Sequence, residues 1–496
     1  MSYSDIVHFL PIWAVLFPLV MTAVIFFVEK KSRLARNILT GFTSGLTFLI
    51  VLAMYPAVFD GNVLSYEIAN LIPPFGISFR VDILGFGLSL LASFIWTLVT
   101  IYSFDYMKKE KYTGRYYPSL SLTLSGAMGI FMAGDLFSLF IFYEIMSLVS
   151  YLLIIHSETK EALRAGYKYL IVTIAGGLLL FFGIIITFEL SQTISLSYTG
   201  IINTTSTMAF VAYISFILGF GMKAGMFPLH VWLPDAHPVA PSPASALLSG
   251  IMIKTGAYGL IRVFFHVFDF QMIQTAGWHW ILAVLAVITI FLGSAVAITQ
   301  QDIKKRLAYS SIGQMGYILL GLAIMTETAM IGDIFHIFSH AFMKSTLFLA
   351  AGIMIMKTGK RNISDLKGIG RMMPLTMISF TIAALAMVGI PPLNGFISKW
   401  ALSLGALEAG QPIYVIILLM SSLMNAAYYL PIINNAYFGK TEAEVSPAPG
   451  VKIPAKMTVP VVILGFGCLV LSLFPTNLPY EMSQLAANAL INGIPF

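Results

Sequence analysis

Ionisable side chains stand in this sequence where everything around them is apolar. Glu144 lies in LFSLFIFYEIMSLVSYLL, Lys223 at the end of AFVAYISFILGFGMKAG, Lys254 in ALLSGIMIKTGAYGLI, and Lys399 just after GIPPLNGFIS. Asp333, His336, His340 and Lys344 fall at i, i+3, i+7 and i+11, one stripe along one helix. At 1.5 Å per residue that stripe is about 16 Å long. A charge in the body of a lipid-length helix is costly, so it normally faces a protein interior or a water cavity and marks an ion path. The chemistry these types offer is proton transfer. Histidine titrates nearest neutrality and can pass a proton between its two nitrogens. A carboxylate beside a desolvated lysine changes how firmly that lysine holds its proton, so Glu144 and Lys223 together make a switch.

Each of these features also has a plainer reading. Glu144 and Lys223 could form a static salt bridge between helices, and a buried pair is weak evidence for stability. Lys254 could snorkel to an interface, although its mid-span position argues against it. The histidine stripe could serve helix–helix hydrogen bonding around a wet core. Two histidines four apart could hold a metal, but no HExxH glutamate and no cysteine stands near them, so no metal and no cofactor is expected. His230, Asp235 and His237 follow Lys223 in a segment rich in proline. Asp235 and His237 either line the cytoplasmic end or hold the loop. His8, His156, His266 and His279 lie near span ends and are expected at the interface.

The elements that carry these residues are membrane spans. The chain has 496 residues, 58% hydrophobic and 10% charged, with a mean hydropathy of +0.88. A soluble domain carries roughly a quarter charged residues, so this is an integral membrane protein. A single cysteine, Cys468, excludes disulfides and cysteine-ligated clusters. No glycine-rich nucleotide fingerprint follows a strand pattern, so redox or ATP chemistry must lie on another chain. The first apolar run lacks a basic region before it and is followed by Lys30, Lys31, Arg33 and Arg36, as an uncleaved span would be.

Windows of about 20 apolar residues centre near 18, 48, 94, 125, 146, 178, 217, 255, 289, 316, 343, 384, 423 and 466. The expected fold is an all-α polytopic membrane protein of about 14 transmembrane helices. Basic residues test that count. They concentrate in alternate loops around 30–36, 108–115, 160–168, 304–306, 357–371 and 440–456, with only Arg80 and Arg262 on the other side. Such asymmetry puts the basic loops in the cytoplasm and both termini outside it, in a cell (inner) membrane. Residues 59–82 are expected to form an extracytoplasmic strand or hairpin, and the tail beyond 475 a loop and a short interfacial helix. Two Gly/Pro interruptions, at Pro228 beside Lys223 and at Gly389, Pro391, Pro392 and Gly395 before Lys399, suggest inverted repeats with one broken helix in each half. The expected division is 1–115 for the first three spans, 116–272 and 273–438 for the two five-helix repeats, and 439–496 for a linker, span fourteen and the tail.

The string K-A-G-x-F-P-L-H-x-W-L-P-D-A-H, then S-A-L-L-S-G and K-x-G-x-Y-x-L-I-R, resembles the signature of the antiporter-like subunits of respiratory complex I, Mrp-type cation/proton antiporters and membrane-bound hydrogenases. With Glu144, the helix around His340 and GIPPLNGFISKW, the resemblance runs over residues 116–400. It implies two inverted five-helix units and a Glu144–Lys223 pair as the pump switch. It carries the proton path on through His230 and Lys254 to His336, His340 and Lys344, and out by Lys399, a position the family fills with lysine or glutamate. The implied function is a proton-translocating subunit driven by electron transfer in partner chains, with an Mrp-type Na+/H+ antiporter subunit as the alternative. A stand-alone secondary transporter of another solute is the second alternative. Partners would be other membrane subunits, further antiporter-like chains among them, the lipid bilayer, and H+ with Na+ still open; nucleic acid is not among them. The sequence ends soon after the fourteenth span, so the long lateral helix of one family branch is not expected.

Overall fold

Short polar side chains mark where the helices begin. Ser32, Asp82, Asp135, Thr159, Asp302 and Thr326 each accept a hydrogen bond from the backbone N–H three residues on, which satisfies one of the donors a helix start leaves open. The computed structural model describes residues 6–72, 75–439, 452–473 and 478–492. Its main helices are α1 (Leu10–Glu29), α2 (Arg33–Leu52), α3 (Ile83–Tyr106), α4 (Thr113–Phe131), α5 (Leu136–Ile154) and α6 (Lys160–Ser191). Then come α7 (Thr207–Val239, broken after Ala224), α8 (Ser242–Val267), α9 (His279–Thr299), α10 (Ile303–Ile324) and α11 (Glu327–Thr358). The last are α12, in two pieces (Pro374–Val388 and Asn394–Glu408), α13 (Pro412–Phe438), α14 (Ala455–Leu473) and α15 (Leu478–Asn492).

Twelve of these helices are long and apolar enough to cross a membrane. The two remaining hydropathy centres fall in α4 and in the first piece of α12. The short tail helix is α15; most of the expected 440–456 linker, and the end of the tail, lie outside the described residues.

Burial grades the helices by position. The spans of α1 and α2 are 28% and 33% buried, α10 and α11 are 94%, and α8 is wholly enclosed. Charges in the body of α8 and α11, such as Lys254 and Lys344, are therefore enclosed by protein. Without a hydrophobic force between helices in lipid, close approach comes from small residues. A Cβ on Gly256 of α8 would lie 2.5 Å from the Phe220 carbonyl of α7.

The breaks in α7 and α12 have matching chemistry. Ala224 is followed by Gly225 at φ 72°, and Val388 by Gly389 at φ 91°, a left-handed cap that glycine adopts without strain.

A hairpin precedes α3, as expected for 59–82. Strand β1 (Leu64–Ile72) pairs antiparallel with β2 (Phe75–Val81), Leu64 opposite Val81 and Tyr66 opposite Phe79. It is tied to the α4–α5 turn through Arg80 N–H to Met132 O (2.8 Å) and Gly134 N–H to Ser78 O (2.8 Å). Its last residues deliver Asp82 to the start of α3. There Asp82 accepts two hydrogen bonds from Arg262 of α8 (2.6 and 2.7 Å).

Arg262 is thus not the loop residue that the charge pattern implied. It is buried inside α8, also touching His266 Nε2 (3.0 Å). His266 and His156 are likewise enclosed by protein rather than interfacial. Burial, with the charge of Arg115 adding to it, lowers the pKa of His156 to about 4.

Burial opposes a charge on Asp82, but the Arg262 guanidinium prevails and holds the carboxyl well below its usual range. A depressed carboxyl contributes stability at neutral pH that fades as pH falls below its unfolded value of about 3.9. Asp82→Asn leaves Arg262 enclosed without a counter-charge and is expected to cost about 3–5 kcal/mol. A lowered Tm of the purified protein, partly restored by adding Arg262→Met, checks this; an unchanged Tm refutes it.

Candidate functional site

The predicted site residues fall into two groups, with His230 apart from both. Lys223 ends the first piece of α7, fully buried, and donates to Ser147 Oγ of α5 (2.9 Å) and to the Tyr169 hydroxyl of α6 (2.7 Å). Its ammonium also lies 5.1 Å from the Tyr169 ring centre. Glu144 is one turn before Ser147 but points elsewhere. Its Oε1 is buried without a hydrogen-bond partner among the described residues. It lies against Gly177 of α6, where a Cβ would fall 2.1 Å from that oxygen. It lines a shallow groove of about 190 Å³ with Phe140, Ile174 and Phe181. Glu144 and Lys223 therefore interact electrostatically without a salt bridge among the described residues.

The second group runs through the centre of the bundle. Lys254 of α8 is 1% exposed and donates to the Ser249 carbonyl. That carbonyl belongs to a π-helical turn, Leu248–Met252, a widened turn of the kind often found at functional positions. The histidine stripe on α11 is wholly buried. The rings of His336 and His340 stack 5.9 Å apart at 6°. Lys344 donates to Leu307 O (2.9 Å) and Ser310 Oγ (2.8 Å) of α10. His340 lies within electrostatic reach of Lys254 and Lys344, and His336 within that of Lys254 and Lys399. Both nitrogens of His340, Nε2 of His336 and both oxygens of Asp333 lack a protein partner among the described residues. Buried polar groups are rarely left so and are commonly served by water.

Lys399 closes the line. Its ammonium donates to the Met387 and Val388 carbonyls (2.9 Å each) and to Ser422 Oγ (3.1 Å). Those carbonyls are free because the helix stops at Gly389. On the other side Ser398, its neighbour, lies 2.8 Å from His336 Nδ1.

A second connection is not legible from sequence. The Tyr428 hydroxyl lies 3.0 Å from Ser310 Oγ and 2.7 Å from Asn425 Oδ1, with one proton to share, and Asn425 Nδ2 donates to Met387 O (3.2 Å). Ser310 thus ties Lys344, and Met387 O ties Lys399, to the same short chain. Neutral polar residues in a span send no charge signal; only helix-face periodicity could have singled them out.

His230 is half-buried in the segment between the pieces of α7, stacked on Phe227 at 6.1 Å. Among the described residues it makes no hydrogen bond or ion pair with Lys223 or Lys254, and none joins those two lysines. His237 is fully buried and stacked on Phe348 of α11 at 4.5 Å. Asp235 lies nearer the surface, paired with Lys168 (2.6 Å). Among the described residues no three His, Cys, Asp or Glu side chains converge as metal ligands.

Residues 133–425 match the family described as NADH:quinone oxidoreductase/Mrp antiporter, TM, and residues 73–117 match the complex I chain 5 N-terminus family. The chain belongs to this antiporter-like family. NADH-quinone oxidoreductase subunit N of Desulforudis audaxviator is 34% identical over 96% of this chain and 98% of its own. A Na(+)/H(+) antiporter subunit of Alkalihalophilus pseudofirmus is 31% identical over 87% of each chain. A chain of an archaeal membrane-bound sulfane sulfur reductase superposes with a TM-score of 0.88 at 26% identity, covering 97% of both chains. A chain of the Mrp complex from a Dietzia species gives 0.89 at 24% identity, covering 99% of this chain and 98% of that one, a likeness of fold. As an antiporter-like subunit the chain is a multi-pass membrane protein whose structural neighbours are parts of multisubunit membrane complexes.

Proposed function

We propose that this chain is a proton-translocating subunit of a multisubunit membrane complex whose driving force is electron transfer in partner subunits. The observation that carries this reading is the enclosed line Lys254, His340, Lys344, His336, Lys399. Among the described residues none of its lysines has a carboxylate in salt-bridge contact, and several of its nitrogens have no fixed partner. A line built for stability would pair its charges; a line built for transport leaves them exchangeable. Near full-length similarity to a quinone oxidoreductase subunit favours the redox-driven setting. Similarity to the Na(+)/H(+) antiporter chain of Alkalihalophilus pseudofirmus supports the second reading, an Mrp-type antiporter with sodium as the counter-ion.

The proposal includes fourteen crossings, with α4 and the two-piece α12 counted as spans. It divides them into 1–115, 116–272, 273–438 and 439–496. The matched breaks at Gly225 and Gly389 support two inverted five-helix units. The membrane is the cell membrane, with the basic loops in the cytoplasm.

Inverted vesicles holding the assembled complex, identified by labelling of a cysteine placed at the exposed Lys360, test the reading. Driven by the complex's own donor, they should acidify inside, and Lys344→Met should lower that rate about tenfold or more, a barrier change of ~1.4 kcal/mol, at equal assembly. Acidification that persists in Lys344→Met would take the enclosed line out of the proton path and overturn the reading. Sodium uptake coupled to proton exit, without need of the electron donor, would favour the antiporter.

A further inference from the structure

A buried lysine outside the predicted path supplies a further inference. Lys304 belongs by sequence to the loop cations, but it is 3% exposed at the second position of α10. A helix start repels a cation, so the position does not explain the charge. Its ammonium has no carboxylate in salt-bridge contact among the described residues and donates to the Ala240 carbonyl, where the second piece of α7 ends.

Three groups surround it. Glu110, half-buried in the loop after α3, interacts with it electrostatically, and burial raises that carboxyl while Lys304 works against the rise. Asp302 caps α10 and is held by Arg361, which also donates to Pro238 O (2.8 Å each). On the inner side is His237. It is fully buried, neither ring nitrogen has a partner among the described residues, and Lys304, Lys344 and Lys254 all lie within its electrostatic reach.

Lys223, by contrast, shares no hydrogen bond or hydrogen-bond partner with Lys254 among the described residues, so the central line is not hydrogen-bonded directly to the first lysine. On the proton-transport reading of the previous section, the central line needs its own supply.

We propose that Glu110, Lys304 and His237 form a proton inlet that feeds the central line from the basic-loop end of the bundle, separately from Lys223. A proton taken up at the Glu110 carboxylate moves to the neutral Lys304 amine, forming the ammonium. It then passes to one ring nitrogen of His237, which releases a proton from the other nitrogen toward Lys344 or Lys254. Nothing but the proton and its charge moves. Water carries the steps longer than a hydrogen bond. Asp302 and Arg361 neutralise each other beside the route and hold Pro238 and Ala240 in place.

Arginine separates a carrier from an anchor, because it keeps the charge and the carbonyl contact but does not release its proton in proteins. In the assembled complex in inverted vesicles, Lys304→Arg and Lys304→Met should both slow acidification about tenfold or more. His237→Phe should do the same. Glu110→Gln should slow it most at alkaline pH, where protons are scarce and a collecting carboxylate matters. Near-normal turnover in Lys304→Arg with loss in Lys304→Met would make Lys304 an anchor and overturn the inlet. Normal turnover in all of them, with Lys344→Met inactive, would overturn the inlet and leave the transport reading intact. Absence of proton movement in the unsubstituted complex would instead remove that reading.

Discussion

Glu144→Gln is expected to stop most ion transport while leaving the complex assembled. Glu144 makes no hydrogen bond with its buried Oε1 and no salt bridge with Lys223 among the described residues, so the amide breaks no contact that holds the helices together. What it removes is a negative charge within electrostatic reach of Lys223. In this arrangement Glu144 acts on the lysine through that charge. Lys223→Met should fall to the same level, about tenfold or more below the unsubstituted rate, or ~1.4 kcal/mol. The double variant should be no worse than either single one, as for residues acting as a unit. Here the two substitutions differ in their structural cost. Lys223→Met also strips Ser147 and Tyr169 of a buried donor, so it should lower the Tm, whereas Glu144→Gln should not. Normal turnover in assembled Glu144→Gln complex would remove the pair from the mechanism.

The pattern of what could be read from the sequence follows the size of the signal. Each hydropathy centre lies inside a separate helix, because a window of apolar residues measures what the bilayer itself demands. The breaks in α7 and α12 were visible because proline and glycine interrupt a helix by their covalent structure. Lys223, Lys254, Lys344 and Lys399 stood out because a charge in a span is expensive. Direction was not visible. Residue type pairs Glu144 with Lys223, yet Glu144 faces Gly177 and an open groove, which depends on the rotation of α5. Lys304 was lost in a basic run that reads as an ordinary cytoplasmic loop, since positive-inside counting cannot tell a solvated lysine from one folded under a neighbouring segment. Asp82 and Arg262 are 180 residues apart, and only the hairpin brings them together. Tyr428 and Asn425 carry no charge and look like ordinary span residues.

Lys399 gives the second large effect, and the local geometry sets its sign. Two carbonyls left free at Gly389 and one serine hydroxyl receive its ammonium, and the Tyr317 ring centre lies 5.0 Å away. All of these are acceptors or electron-rich, so the site solvates a cation. Gly389 permits it: a Cβ there would meet Lys399 Cδ at 3.0 Å and sit at a strained φ of 91°. Lys399→Met should therefore stop transport, about tenfold or more, ~1.4 kcal/mol, because nothing ionisable remains where His336 and the Asn425–Tyr428 chain arrive. Lys399→Glu should retain part of the activity. A carboxylate facing two carbonyls is favoured only with its proton on, and a carboxyl holds a proton over a more acid range than an amine, so the optimum should move to lower pH. Proton transport per assembled complex, measured across pH for the three forms, decides the role. If Lys399 only fastens the second piece of α12 to the first, Lys399→Met should reduce the yield of complex and leave turnover per complex unchanged. Lys399→Glu, which loses the same hydrogen bonds, should then behave like Met rather than differ from it in pH profile.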